Sequence, residues 1–307
     1  MATAAPLALG IDLGGTKIAA ALLDASGTTL WQQRWPTPQG DYRGTIAAIA
    51  RAVAAARAAA QGAPLTIGIG TPGTQTAAGV MKNCNSTVLN GMPLQADLEA
   101  ALGAPVRLAN DANCLALSEA TDGAGAGAAV VFAVILGTGT GGGIAVHGRV
   151  LQGPNGLAGE WGHNPLPWAD AVADPAQRCY CGQMGCVETY LSGPALARDH
   201  QRATGLLLGG EEIVRRAEAG DVACEATLQR HAHRLARALA GVINLLDPDV
   251  IVLGGGVSRL PGLYERVPAL WAHWVVAAGS SEPVRTRLLP SQHGDASGVR
   301  GAAWLWR

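Results

Sequence analysis

Three cysteines and a histidine crowd into two short stretches, Glu160-Trp161-Gly162-His163 and Cys179-Tyr180-Cys181-Gly182-Gln183-Met184-Gly185-Cys186-Val187-Glu188. Half of the six cysteines fall within eight residues. Three thiolates and one imidazole complete a tetrahedral zinc shell of the closed, structural kind, with no position left for a reactant. The alternative, three buried thiols, does not account for Cys-x-Cys-x4-Cys with interleaved glycines. Glu160 and Glu188 flank the group, and a carboxylate accepts well from neighbouring hydroxyls. One ring nitrogen of His163 can ligate the metal while the other faces a ligand or carboxylate. Cys84, Cys114 and Cys224 stand alone and read as small core or near-surface thiols.

A second chemistry lies in the glycines. Asp12-Leu13-Gly14-Gly15-Thr16-Lys17 joins two short apolar strands, Leu7–Leu13 and Lys17–Leu23. The paired glycines are expected to supply positive φ and a close backbone approach to a ligand. Gly137-Thr138-Gly139-Thr140-Gly141-Gly142 joins strands expected at Val130–Leu136 and Gly143–Val146. Such turns present backbone N–H groups to phosphate oxygens, with Thr16 and Thr138 adding hydroxyls. Asp12, at a strand end, could hold a divalent ion directly or through water. Either turn alone needs no ligand; two in matching positions, one beside an Asp and a Lys, point to nucleotide phosphates. Neither is a Walker loop or a dinucleotide fingerprint. Gly254-Gly255-Gly256 follows a buried strand, Val250–Leu253, and suits either a flat adenosine or a simple strand-to-helix turn. Asn110-Asp111 ends the strand Val106–Ala109 ahead of a helix over Asn113–Thr121. Asp111 there either caps the helix or takes the proton of an attacking hydroxyl.

The elements that must position these groups are consistent with an α/β chain of two domains. At 307 residues and 49% hydrophobic content, two cores are affordable, although a single Phe leaves them aliphatic and small. A net charge of -1 with scattered basic residues leaves no footprint for nucleic acid. No apolar run reaches the roughly 18–20 residues that span a bilayer, and the first residues lack a basic signal-peptide region. Clustered cysteines without such a signal favour metal over disulfides and a cytoplasmic location. The spacing predicts helices over 41–62 and Leu94–Leu102, a strand Leu65–Gly70, a helical zone Glu211–Leu246 broken near Gly220-Asp221, and a last helix Val299–Leu305. Two strand–turn–strand units, one opening each half, suggest a duplicated architecture.

Asp12–Lys17, Leu108-Ala-Asn110-Asp111-Ala-Asn113, Leu136–Gly141, Gly159–His163, the Cys-x-Cys-Gly-x2-Gly-Cys-x-Glu run and Gly254–Gly256 together resemble the ROK family (repressor, open reading frame, kinase), in the right order from Leu7 to Arg307. The resemblance implies a two-domain α/β fold of the actin/hexokinase-like (ribonuclease H-like) ATPase type, with a cleft between domains. It implies a small N-terminal α/β domain over 1–117 plus the C-terminal helix 294–307, and a larger domain over 118–293 carrying the zinc motif. It implies ATP, Mg²⁺ and structural Zn²⁺. Asp111 matches the catalytic base, which deprotonates the sugar 6-hydroxyl. Asn110, Asp111, Glu160, His163, Glu188, Gly73 and Asn90 match substrate-binding positions. Asp12, Gly14, Gly15, Thr16, Lys17, Gly137, Thr138, Gly139, Gly254, Gly255 and Gly256 match nucleotide-binding ones. His163, Cys179, Cys181 and Cys186 match zinc ligands. Within the family, stretches 82–91, 160–168 and 293–306 look most like bacterial fructokinases of the manno(fructo)kinase type, which implies fructose to fructose 6-phosphate. N-acetylglucosamine, N-acetylmannosamine or glucose kinases are the alternatives. A ROK transcriptional regulator is more remote, since only six residues precede Leu7. Expected partners are sugar and ATP, without nucleic acid or membrane, in a homodimer. The stretch between His163 and Cys179 is longer than in mammalian members, and the resemblance does not set its path.

Overall fold

The computed structural model describes residues 6–276 and 282–307. Among them the chain separates into two compact units: one runs up to Gly127 and includes Gly143–Ala158 and Gln292–Arg307, and the other joins Ala128–Gly142 with the described residues of Gly159–Ser291. These limits differ from a division at residue 117, because residues 118–127 and 143–158 stay with the first unit.

The first unit is built on a sheet ordered β3-β2-β1-β4-β7. Its strands are β1 (Leu7–Leu13), β2 (Lys17–Leu23), β3 (Thr29–Pro36), β4 (Leu65–Thr71) and β7 (Val106–Asn110), with a small hairpin of β5 (Thr74–Gln75) and β6 (Met81–Lys82) after β4. β1 is antiparallel to β2 and parallel to β4, which is parallel to β7. Leu9, Ile11, Ile67 and Ile69 meet Ile49 and Val53 of α1 (Tyr42–Ala59) and Leu94 and Leu98 of α2 (Leu94–Leu102) in one core. Asp41 caps α1 by accepting from Gly44 N at 2.8 Å. The helix stops at Ala59, short of residue 62, because Gln61 and Gly62 turn to φ 50° and 88°.

The C-terminal helix, Ser297–Ala303, comes within backbone contact of this sheet. A Cβ on Gly10 would stand 1.9 Å from Val299 O, and one on Gly68 would stand 1.9 Å from Ala302 O. On its other side the helix meets α3 (Asp111–Asp122), where a Cβ on Gly301 would stand 1.7 Å from Cys114 O. That contact keeps α3, to its end at Asp122, with the first unit.

The second sheet is ordered β10-β9-β8-β11-β12, with β8 (Val130–Leu136), β9 (Thr140–Val146), β10 (Arg149–Val150), β11 (Val250–Gly254) and β12 (Arg287–Pro290). β11 is buried throughout and lies parallel to β8 and β12, as its unbroken apolar run requires. The helices are α4 (Glu188–Leu191), α5 (Gly193–Thr204), α6 (Gly210–Glu218), α7 (Val222–Leu246) and α8 (Leu263–Leu270). The expected break falls between α6 and α7, where Gly220 takes φ 91° and Asp221 caps α7 through Ala223 N and Cys224 N. The stretch after His163 is held down by α7. Asp174 accepts from Arg234 Nε and Arg237 Nη2, each at 2.7 Å, while Arg234 and Arg237 also donate to Ala173 O and Trp168 O. Asp199 of α5 joins this buried network through Arg234, Arg230 and Arg202. Among the described residues no helix is long and apolar enough to cross a membrane.

Candidate functional site

In the first unit the candidate residues gather at the carboxyl ends of parallel strands, the usual place for ligands in open α/β sheets. Register pairs Asp12 with Gly70 and Thr71 with Asn110. The cap of α3 is Asn110, whose Oδ1 accepts from Ala112 N at 2.9 Å, so the helix begins at Asp111 and not at residue 113. Asp111 Oδ1 also accepts from Ala112 N, at 2.7 Å, with its carboxylate at the positive end of the helix. Burial raises the Asp12 carboxyl above its ordinary value, against the nearby charge of Lys17. The buried thiol of Cys114 is pushed well up by burial, and Asp12 and Asp111 both add to that push. Asp12 and Asp111 thus share one neighbourhood, and an added cation would be welcome there.

The Gly14–Lys17 turn closes without positive φ at either Gly14 or Gly15, contrary to expectation. Glycine serves closeness instead: Gly14 N donates to Lys17 O at 3.0 Å, and a Cβ on Gly14 would lie 2.9 Å from that oxygen. Two side chains missed by sequence reasoning brace the turn. Thr37 Oγ1 donates to Gly14 O at 2.7 Å, and the Gln39 amide donates to Gly15 O. Gly15 and Thr16 line a cleft of about 320 Å³ with Thr37, Gln39, Asn85 and Ser86, and Lys17 is exposed.

Gly73, at φ 79°, lets the chain at 82–84 pass, since its Cβ would meet Lys82 O at 2.4 Å. Asn90 accepts from Cys84 N at 2.9 Å and donates to Cys84 O at 3.2 Å, so both ends of its amide brace the loop.

In the second unit the three cysteines and the histidine come together into one cluster that could hold a metal ion. Ligand atoms of His163, Cys179, Cys181 and Cys186 all lie within 4.8 Å of one another. Cys179 Sγ is 3.5 Å from His163 Nδ1, and Cys181 Sγ is 3.6 Å from Cys186 Sγ. The donor set and its closeness fit a tetrahedral Zn²⁺. Burial raises the Cys179 and Cys186 thiols, the latter to about 12, while the Gln183 backbone N–H heads the groups that lower Cys181. A bound cation favours all three thiolates. The other ring nitrogen of His163, expected to face a ligand, lies 3.0 Å from the Tyr180 hydroxyl. Tyr180 was not singled out from sequence, although it sits inside the motif.

Glu188 Oε2 accepts from Thr140 N at 2.9 Å, which ties the motif to the second Gly-rich turn. Glu160 is half-buried and leads the short turn Trp161–His163. Gly137 and Thr138 line a cleft of about 730 Å³ together with Gly193, Gly256, Val257 and Arg259. The structure therefore brings the second turn and the Gly254–Gly256 loop to one cavity. Gly255 holds φ 86°, and a Cβ there would stand 2.3 Å from Leu136 O, so the loop runs directly over the end of β8.

With this geometry in place, comparison with known proteins is specific. The family profile described as ROK family matches residues 8–307. The N-acetyl-D-glucosamine kinase of Salmonella paratyphi B is 40% identical over 308 residues, covering 96% of this chain and 98% of that protein. Among solved structures, a ROK hexokinase from Thermus thermophilus matches with TM-score 0.85 and 34% identity over 97% of each chain. A ROK family glucokinase from Streptomyces griseus, in complex with glucose and AMPPNP, matches with TM-score 0.75 and 32% identity, covering 97% of this chain and 98% of that one. The two sheets with their helices are the mixed α/β fold of these hexokinase-like proteins.

Proposed function

The chain belongs to the ROK family, and from that premise we propose that it is a sugar kinase moving the γ-phosphoryl group of ATP to a hexose 6-hydroxyl, with N-acetyl-D-glucosamine the preferred acceptor. The observation that carries the choice of sugar is the 40% identity to an N-acetyl-D-glucosamine kinase along almost the whole of both chains. It favours the acetamido sugar over the fructose suggested by stretches 82–91, 160–168 and 293–306. The likeness to a glucokinase puts glucose next.

In this reading Asp111, at the N-terminus of α3, accepts the hydroxyl proton while the oxygen attacks phosphorus. Asn110, Glu160 and Glu188 supply acceptors for the other hydroxyls. The Gly14–Lys17 and Gly137–Gly142 turns offer N–H groups to the phosphates, and Asp12 would hold Mg²⁺, which would offset charge on them. The cleft lined by Gly137, Thr138 and Gly256 receives the adenosine. His163, Cys179, Cys181 and Cys186 would hold zinc, which would brace the loop that carries Glu188 and supply nothing to the transfer step.

A panel of N-acetylglucosamine, N-acetylmannosamine, glucose, mannose and fructose, read by coupled ADP release, tests the proposal. The highest kcat/KM is expected for N-acetylglucosamine. Fructose ahead by tenfold or more would return the assignment to fructokinase, and no ADP release with any sugar would reject the kinase reading.

A further inference from the structure

The Gly137–Gly142 turn is held on both sides by the segments that carry the metal ligands. On one side Thr140 N donates to Glu188 Oε2 at 2.9 Å, and Gly193 N, just beyond α4, donates to Gly137 O at 2.8 Å. On the other side Gly162 packs so closely that a Cβ would stand 2.0 Å from Thr140 O. Gly139 lies against the same carboxylate, its Cβ position 2.8 Å from Glu188 Oε2, so a methyl there would displace the carboxylate. Glu188 itself follows Cys186 by two residues, and its Oε1 lies 3.9 Å from Cys179 Sγ.

We propose that Glu188 is a positioning residue for the nucleotide: its carboxylate locks the Gly137–Gly142 turn to the cysteine loop, so phosphate affinity depends on that loop even with no sugar bound. The inference rests on the kinase reading above but adds a role that sugar contact does not require. A hydrogen bond to a charged acceptor is the strong kind, and here it fixes the first backbone N–H of β9, directly after the 137–139 bend expected to meet phosphate. A turn released from it must be ordered by the ligand, and affinity falls accordingly.

The test is MgADP titration of the full-length, metal-loaded enzyme without sugar. Glu188→Ala should weaken MgADP about tenfold, which corresponds to ~1.4 kcal/mol. Glu188→Gln keeps an acceptor for Thr140 N and should bind MgADP within about twofold of wild type while its sugar KM rises. Gly139→Ala, which pushes the carboxylate away, should weaken MgADP like Glu188→Ala, and the double variant should be no worse than either. If Glu188→Ala does not fold, as judged by its thermal unfolding, Gly139→Ala and Glu188→Gln decide the matter. Removal of metal by chelation, verified by metal analysis, should weaken MgADP in wild type and leave Glu188→Ala unchanged. MgADP affinity untouched in Glu188→Ala or Gly139→Ala, with only sugar KM altered, overturns the coupling and leaves the kinase reading intact. Wild type that binds no MgADP overturns both.

Discussion

His163 Nδ1 lies 3.5 Å from Cys179 Sγ while Nε2 of the same ring lies 3.0 Å from the Tyr180 hydroxyl. Tyr180 thus sets the ring so that one named nitrogen enters the thiol cluster, as outer partners of metal-bound histidines do. Purified protein is expected to carry one zinc per chain by elemental analysis, and less than about half an equivalent after mild preparation contradicts the assignment. Cys181→Ser should lower zinc content, melting temperature and sugar affinity together. A variant with normal sugar affinity and no turnover would place the metal in the chemistry instead.

Asp111→Asn keeps the shape of the side chain and its place at the start of α3, but removes the base. Turnover is expected to drop by about 10²–10⁴, the range for a lost general base, with sugar binding nearly unchanged. Steady-state kinetics with a sugar-binding titration check both halves, and turnover near that of wild type would remove Asp111 from its role.

Asp174 sits buried between Arg234 and Arg237. Burial raises its carboxyl, but the hydrogen bonds from Arg234 and then Arg237 prevail and hold it below the ordinary value. The folded protein therefore binds this proton less readily than the unfolded chain. Its contribution to stability is complete above the unfolded value of about 4 and is lost as pH falls through the lower folded value. Denaturant midpoints measured downward from pH 6 should fall more steeply below pH 4 for wild type than for Asp174→Asn. Asp174→Ala, which leaves buried Arg237 without its carboxylate and Arg234 with Asp199 alone, should cost about 3–5 kcal/mol at neutral pH.

Gly301→Ala places a methyl 1.7 Å from Cys114 O, so the C-terminal helix and α3 must part. A loss of about 1–3 kcal/mol is expected from such overpacking. Because Asn110 caps α3 and Asp111 begins it, turnover should fall with it. Unfolding curves and kinetics at a permissive temperature check the pair, and unchanged stability would show that the two helices do not press so closely.

The gathering of His163, Cys179, Cys181 and Cys186 was legible from residue type and spacing because they sit in two short segments, three of them within one loop. The same holds for the strand-end position of Asp12 and for the break before α7, which Gly220 and Asp221 mark locally. Where several local outcomes were open, spacing did not choose. The cap of α3 fell to Asn110 because β7 runs one residue further than its apolar run, in register with Thr71 of β4. Gly14 proved necessary for nearness to Lys17 O and not for positive φ.

The sequence alone determined which residue types could bind zinc, meet phosphate or take a proton, since those properties belong to side chains and to turns a few residues long. Only the tertiary structure decided what supports them. Thr37 and Gln39 reach Gly14 and Gly15 from more than twenty residues away, and Arg234 and Arg237 pin Asp174 from about sixty. Glu188 spends an oxygen on Thr140 from 48 residues along the chain. Such pairings arise when separate elements pack, and buried donors and acceptors must then find partners wherever the fold brings them.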